Sequence, residues 1–81
     1  NQKGGRVMRV QTLNSVFDVS VRDNRFFLKK VGDLTGGQHR VPVGREFVGV
    51  SLVLCVGEPL LLRDERGNLI VKSSPLAKVE V

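Results

Sequence analysis

The residues with the clearest chemical character are basic side chains gathered in one short stretch. Four of them fall between positions 22 and 30: Arg22, Arg25, Lys29 and Lys30. If this stretch is a strand, Arg25, Phe27 and Lys29 share one face, because side chains alternate along a strand. Cations neutralise phosphates and an aromatic ring stacks on bases, so this pattern predicts contact with single-stranded nucleic acid.

Two further arginines extend the candidate site to a second region, because Arg40 and Arg45 flank the end of a glycine-rich segment. The predicted nucleic-acid-binding residues are therefore Arg22, Arg25, Phe27, Lys29, Lys30, Arg40 and Arg45. The alternative is an ordinary solvated face with a positive bias. The chain has four Phe and no Tyr or Trp, whereas single-strand platforms generally carry several exposed rings.

Groups that could perform a reaction are isolated from one another. His39 is the only histidine and Cys55 the only cysteine. A lone loop histidine without a supporting group is expected to face solvent, and a cysteine in the most apolar segment is expected to be a buried, inert core residue. Gly36 and Gly37 lack the lysine and the helix of a phosphate loop. We therefore expect no catalytic residues, metal ligands, cofactor or small-molecule substrate.

The composition limits the kind of domain to which these residues can belong. The 81 residues contain 13 Lys and Arg against 8 Asp and Glu, which gives a formal charge of +5, and 41% of them are hydrophobic. This length suits one domain, and the apolar fraction is too high for a disordered chain. No run of about 18 apolar residues could form a membrane helix. The expectation is a soluble cytoplasmic domain that does not enter a membrane.

The first residues are expected to lie outside the domain. Residues 1–6 are polar or glycine, and Met8, two positions later, is the only methionine. Residues 1–7 are expected to be a flexible extension or a remnant of cloning, and residues 8–81 to form a single β domain.

Apolar and polar residues alternate with a period of two over most of the chain, which predicts strands. The expected strands cover residues 7–13, 16–22, 25–31, 46–56, 60–63, 69–72 and 76–81. Asp23 and Asn24 are expected to form a tight hairpin turn, with further turns at 57–59 and 64–68. Residues 73–75, which include Pro75, are expected to break the sheet between the last two strands.

The middle of the chain has a different pattern. Residues 32–44 are rich in glycine and are expected to form a loop, with residues 40–43 as an extended edge segment. Residues 46–56 are apolar on both faces, which favours a central strand covered on both sides or the wall of a barrel. A helix is disfavoured there by the β-branched residues and glycines.

These elements predict an all-β fold. Six or seven short strands are expected to form a small antiparallel meander that curls into a partly open barrel, because curling protects strand edges.

From Met8 onward, three segments resemble small proteins of unassigned function from actinobacteria and their phages. These segments are residues 8–19, which begin Met-Arg-Val-Gln-Thr, residues 56–60, and residues 73–80. The resemblance implies an all-β meander and a start at Met8, and it implies no activity. The chain departs from the group in the middle, where the group carries a tryptophan-containing segment.

Two functions are consistent with these observations, and neither is enzymatic. The first is a basic binding module that contacts nucleic acid. The second is a protein-interaction module, either a phage or host accessory factor or a self-associating subunit, because residues 47–62 contain more apolar strand than a chain this small readily covers.

Overall fold

The computed structural model describes residues 7–34 and 41–81. Its strands are β1 (Val7–Thr12), β2 (Ser15–Arg22), β3 (Arg25–Asp33), β4 (Glu46–Gly49), β5 (Ser51–Val53), β6 (Pro59–Arg63) and β7 (Leu69–Glu80). They form one antiparallel sheet in the order β4-β3-β2-β1-β7-β6-β5, curled into a half-barrel. The predicted all-β, barrel-like fold is confirmed. No helix that could cross a membrane occurs within the described ranges.

The first three strands form the predicted meander, and short polar residues make its turns. Asp23 and Asn24 have φ values of 52° and 61°, the left-handed conformation that a two-residue hairpin requires and that Asp and Asn tolerate. At the preceding turn, the Thr12 hydroxyl accepts hydrogen bonds from the backbone N–H groups of Asn14 and Ser15, at 3.2 and 2.9 Å. Thr12 is buried, so these bonds fix the start of β2 from inside the sheet.

The segment predicted as one strand over residues 46–56 is divided into β4 and β5, and its inward face changes between them. Phe47 packs against the core from β4, whereas Leu52 does so from β5 and Leu54 from the segment directly after it. Val50 and Ser51 between them are both exposed. Because the alternation shifts by one residue here, a strict period of two cannot describe the whole segment.

This change of face also corrects the prediction that the segment is covered on both sides. Val48, Val50 and Val53 are exposed, because the core lies on the inner side of the curled sheet and none of the described residues covers these valines from outside. The segment is part of the wall of the half-barrel, the other arrangement that the pattern favours. Cys55, predicted to be buried, is exposed. Since Leu54 packs against the core, the next residue along the chain faces outward.

The sheet curls round because Gly49 lets two strands approach closely. A Cβ atom at Gly49 would lie 2.7 Å from the carbonyl oxygen of Arg63 and 2.7 Å from Cδ1 of Leu62. The Val50 N–H donates a 2.9 Å hydrogen bond to that same carbonyl of Arg63. The chain therefore stops pairing with β3 and begins to pair with β6 within a single residue. As a result β4 and β5, the first and last strands of the sheet order, lie next to each other.

The expected break at residues 73–75 is absent, because β7 continues through Pro75 and changes partner there. Its first part pairs with β6 and its last part with β1. Pro75 lies opposite Pro59, where the β6–β7 register is irregular. The nearby Leu60 N–H donates instead to the Ser73 hydroxyl, at 3.0 Å. A side-chain hydroxyl thus takes the place of a backbone carbonyl as the acceptor for Leu60, where the register is irregular.

The turn between β6 and β7 is organised by Asp64. Its carboxylate oxygen Oδ1 accepts hydrogen bonds from the backbone N–H groups of Asn68 and Arg66, both at 2.9 Å. These bonds, chiefly that from Asn68, lower the pKa of Asp64 from its ordinary value. Gly67 has a φ of 86°, which confirms the predicted turn.

The core lies on the concave side of the sheet and draws on five of the strands. Its buried apolar residues are Val10, Phe17, Val19, Leu28, Leu60, Leu62, Val71 and Leu76.

The prediction of an extended edge segment at residues 40–43 is wrong for residues 41–43, which are not part of any strand because the chain bends and turns there.

Substitution of Gly49 by alanine is expected to destabilise the protein, because the added methyl group would overlap the Arg63 carbonyl and the Leu62 side chain. We expect a loss of about 1–3 kcal/mol in the free energy of unfolding, the usual range for overpacking. Gly32→Ala is the matched control, since no atom lies within 4 Å of the position that a Cβ would take there and its φ is not positive. Urea denaturation of both variants gives the comparison, and equal midpoints would contradict the role assigned to Gly49.

Candidate nucleic-acid interface

The two arginines at the β2–β3 hairpin lie side by side. Arg22 is the last residue of β2 and is directly opposite Arg25, the first residue of β3. Phe27 follows on the same face as Arg25, opposite Ser20. Both arginines are exposed and Phe27 is half-buried. We use the term hairpin face for Arg22, Arg25 and Phe27.

Within the hairpin face, Arg22 lies over the aromatic ring. Its guanidinium carbon is 3.9 Å from the centroid of the Phe27 ring. Stacking on the ring restricts the rotation of a long side chain while the N–H groups at the guanidinium edge stay available to a phosphate. The ring therefore supports Arg22, and the planar surface offered to a base on this side is the guanidinium group.

Lys29 lies on the outer face, as predicted, but in a row of alternating charges. The row crosses five adjacent strands, β4, β3, β2, β1 and β7, and each residue in it is paired with the next. In that order its residues are Glu46, Lys29, Asp18, Arg9 and Glu80. Carboxylates thus occupy the positions on both sides of Lys29. Their negative charge reduces the positive potential that this lysine contributes to the surface.

The strongest contact in this row joins Arg9 to Asp18. The Nε and Nη2 groups of Arg9 donate hydrogen bonds to the two carboxylate oxygens of Asp18, at 2.8 and 3.1 Å. The hydrogen bond and the negative charge of Asp18 raise the pKa of the Arg9 guanidinium. Lys78 forms a further ion pair with Glu80, at 3.2 Å. Positive charges in this part of the face are therefore already paired.

Lys30 is not part of the outer surface, which corrects its place in the predicted set. It is 1% exposed and lies on the core side of β3. Its ammonium group donates a 2.6 Å hydrogen bond to the Val41 carbonyl and forms an ion pair with Asp33. A buried ammonium requires such partners, and Lys30 therefore joins the segment at Val41 to the sheet.

Arg45 also lies apart from the hairpin face. Its guanidinium carbon is 5.1 Å from the centroid of the Phe47 ring, and Phe47 is opposite the buried Leu28 and packs against the core. Phe27 lies on the other side of the sheet. The structure therefore does not bring Arg45 and the hairpin face together on one strand face. The remaining predicted residue, Arg40, lies outside the described residues, as do His39, Gly36 and Gly37.

Exposed valines form a feature that the alternation pattern does not reveal. Val48, Val50, Val53 and Val56 follow the chain through β4, β5 and the segment after β5, and all are exposed. The two successive exposed positions at residues 50 and 51 shift the alternation, so the outward set includes both even and odd positions. An apolar surface of this kind is a candidate for protein contact.

Among residues 7–34 and 41–81, no group of three or more His, Cys, Asp or Glu side chains is arranged to hold a metal ion.

Comparison with known proteins finds no match among protein-family models, curated proteins or solved structures. The resemblance to actinobacterial and phage proteins stays a prediction, and the function is therefore argued from the residues of this chain alone.

Substitution of Lys30 by methionine is expected to destabilise the protein by about 1–3 kcal/mol, because the Val41 carbonyl and the Asp33 carboxylate lose a charged hydrogen-bond donor. Methionine nearly preserves the side-chain volume, so the change is mainly one of charge and hydrogen bonding. Lys29→Met on the exposed face is the matched control and is expected to have little effect. Thermal and urea unfolding measure the difference, and equal loss in the two variants would contradict a structural role specific to Lys30.

Proposed function

We propose that this chain is a cytoplasmic, non-enzymatic binding module that contacts single-stranded nucleic acid through the hairpin face. The observation that carries the proposal is the stacking of Arg22 on Phe27 beside Arg25, at the exposed hairpin turn. Two adjacent guanidinium groups, one of them already ordered, suit phosphate oxygens that follow each other along a strand. A base can stack on the outer surface of the Arg22 guanidinium.

The distribution of charge favours the hairpin face over the rest of the outer face as the nucleic-acid-binding surface. Arg9 and Lys78 are engaged by carboxylates, and Lys29 has a carboxylate residue on each side. Arg22 and Arg25 face each other at the end of the hairpin instead of facing an acid. The turn between them contains one acid, Asp23, so two arginines against one carboxylate leave a small local excess of positive charge, which attracts the nucleic-acid backbone.

A third arginine, Arg63, belongs to the strand that approaches β4 at Gly49. Gly49 is opposite Phe26 on β3 and also approaches the Arg63 carbonyl. The backbone of Arg63 is thus one strand beyond Gly49, near the beginning of β3. Its Nη1 group donates a 3.1 Å hydrogen bond to the Gly67 carbonyl, which leaves further N–H groups of the guanidinium available to a phosphate.

The proposal is tested by fluorescence anisotropy with labelled random-sequence single-stranded DNA and RNA over a range of salt concentrations. Arg22→Ala/Arg25→Ala is expected to weaken binding at least about tenfold and to reduce the slope of log K against log salt by about 1 to 2. Arg66→Ala/Lys78→Ala removes the same charge from exposed positions elsewhere and is expected to have a much smaller effect. No detectable affinity at about 50 mM salt would overturn the proposal.

A variant with the opposite effect strengthens the same experiment. Asp18→Asn removes the carboxylate between Arg9 and Lys29, so Arg9 loses its ion pair and each of the two cations keeps one neighbouring carboxylate instead of two. Tighter binding with a steeper salt dependence is expected, a change that loss of folding does not produce. If the affinity is unchanged, the row of alternating charges has no influence on binding at this face.

The second candidate function is protein interaction, and the exposed valines of β4, β5 and the following segment favour it. Self-association through this surface is expected to give a mass above that of one chain in size-exclusion chromatography with light scattering. Val53→Lys is expected to shift that mass towards the monomer, because burying an ammonium group at an interface is unfavourable. Val81→Lys, at a highly exposed position outside the strands, is the control. A monomer at every concentration would exclude self-association.

A further inference from the structure

A polar cleft opens at the end of the sheet opposite the hairpin turn. Its volume is about 250 Å³, and its polar lining includes Thr12, Asn14, Ser15, Lys30, Ser73 and Ser74. We use the term polar cleft for this site. Ser15 and Arg22 are the two ends of β2, so the polar cleft is about 23 Å from the hairpin face at about 3.3 Å per residue.

One wall of the polar cleft is a connected group of hydroxyls. Ser74 donates a 3.0 Å hydrogen bond to the Thr12 hydroxyl, which in turn donates to the Ser15 carbonyl at 3.1 Å. Ser73 donates to the Ser74 carbonyl, at 2.6 Å. These bonds fix the orientation of the wall before any ligand arrives, which lowers the entropy lost on binding.

Two donors of the polar cleft are still available. A lysine ammonium has three N–H groups, and Lys30 uses two of them for Val41 and Asp33. The Ser15 hydroxyl makes no hydrogen bond within the described residues. The Asp33 carboxylate offsets much of the positive charge of Lys30. Lys30 and Ser15 therefore contribute mainly hydrogen-bond donors to an oxyanion in this space.

The other lining residues indicate the rest of the ligand. Lys72 is exposed and adds a second positive charge to the lining. Phe17, Val41 and Val71 supply apolar walls. The volume is below the range of about 300–1,000 Å³ typical of sites for drug-sized ligands, so a small molecule with one anionic group and a short apolar body fits best.

We propose that the polar cleft binds a small organic anion, a phosphate monoester or a carboxylate, whose charged group contacts Lys30, Ser15 and Lys72 and whose apolar part contacts Phe17 and Val71. This site is separate from the hairpin face and does not depend on the function proposed for it. The buried ammonium of Lys30 then has two roles, since it holds the segment at Val41 and offers its third N–H to the ligand.

The test is a titration of the ¹⁵N-labelled full chain, followed by NMR, with phenyl phosphate, benzoate and the neutral analogue benzyl alcohol. Phenyl phosphate or benzoate is expected to shift the backbone amides of Asn14, Ser15, Ser73 and Ser74 with saturation below about 10 mM. Benzyl alcohol is expected to give no saturable shift, because it has no charge for the ammonium groups. Whichever anion binds more tightly identifies the class of the charged group.

Three variants assign the binding to the polar cleft. Lys72→Ala, at an exposed position, and Ser15→Ala are each expected to weaken binding by about threefold to fivefold, because each removes one polar partner of the anion. Arg22→Ala/Arg25→Ala is expected to leave these shifts unchanged. The proposal is overturned if neither anion gives saturable shifts at these amides, if benzyl alcohol shifts them equally, or if the Lys72 and Ser15 variants bind as tightly as the unaltered chain.

Discussion

The close approach of Gly49 to β6 is the contact on which the curled sheet depends. The two ends of the strand order, β4 and β5, meet there. The chain pairs with β3 as far as Gly49 and with β6 from the next residue, Val50, whose N–H donates a hydrogen bond to the Arg63 carbonyl. A side chain at Gly49 would occupy the space of that carbonyl and of Leu62. β4, β5 and β6 meet at this contact, and Leu62 is fully buried there.

Sequence periodicity is sufficient for the fold class, the first meander and the turns, since these depend on local alternation and on residues such as Asn24 and Gly67 that tolerate positive φ. It is insufficient where a strand changes its partner. The shift of face at Val50 and the passage of β7 through Pro75 both depend on distant strands, β6 and β1. The prediction for Cys55 is wrong for the same reason, because the side on which it lies depends on that shift.

The candidate site shows why the number of basic residues is a weak guide to their function. Arg22, Lys29 and Lys30 are close in the sequence, but one is stacked on a ring, one lies between carboxylates and one is buried. Alternation separates Lys29 from Lys30 at the level of the sequence. The carboxylates beside Lys29 belong to β2 and β4, and the acceptor for Lys30 is beyond the loop, so only the tertiary structure reveals these partners.

The partner change within β7 has a consequence for how the protein folds. Its β6-paired half belongs to a local hairpin, whereas its β1-paired half must find residues about seventy positions earlier, as with Arg9 and Glu80. Closing so large a loop is entropically unfavourable until many contacts form together. We therefore expect the hairpins to form early and the β1–β7 ladder to be the late, rate-determining union of two partly folded halves, with Pro75 at the junction.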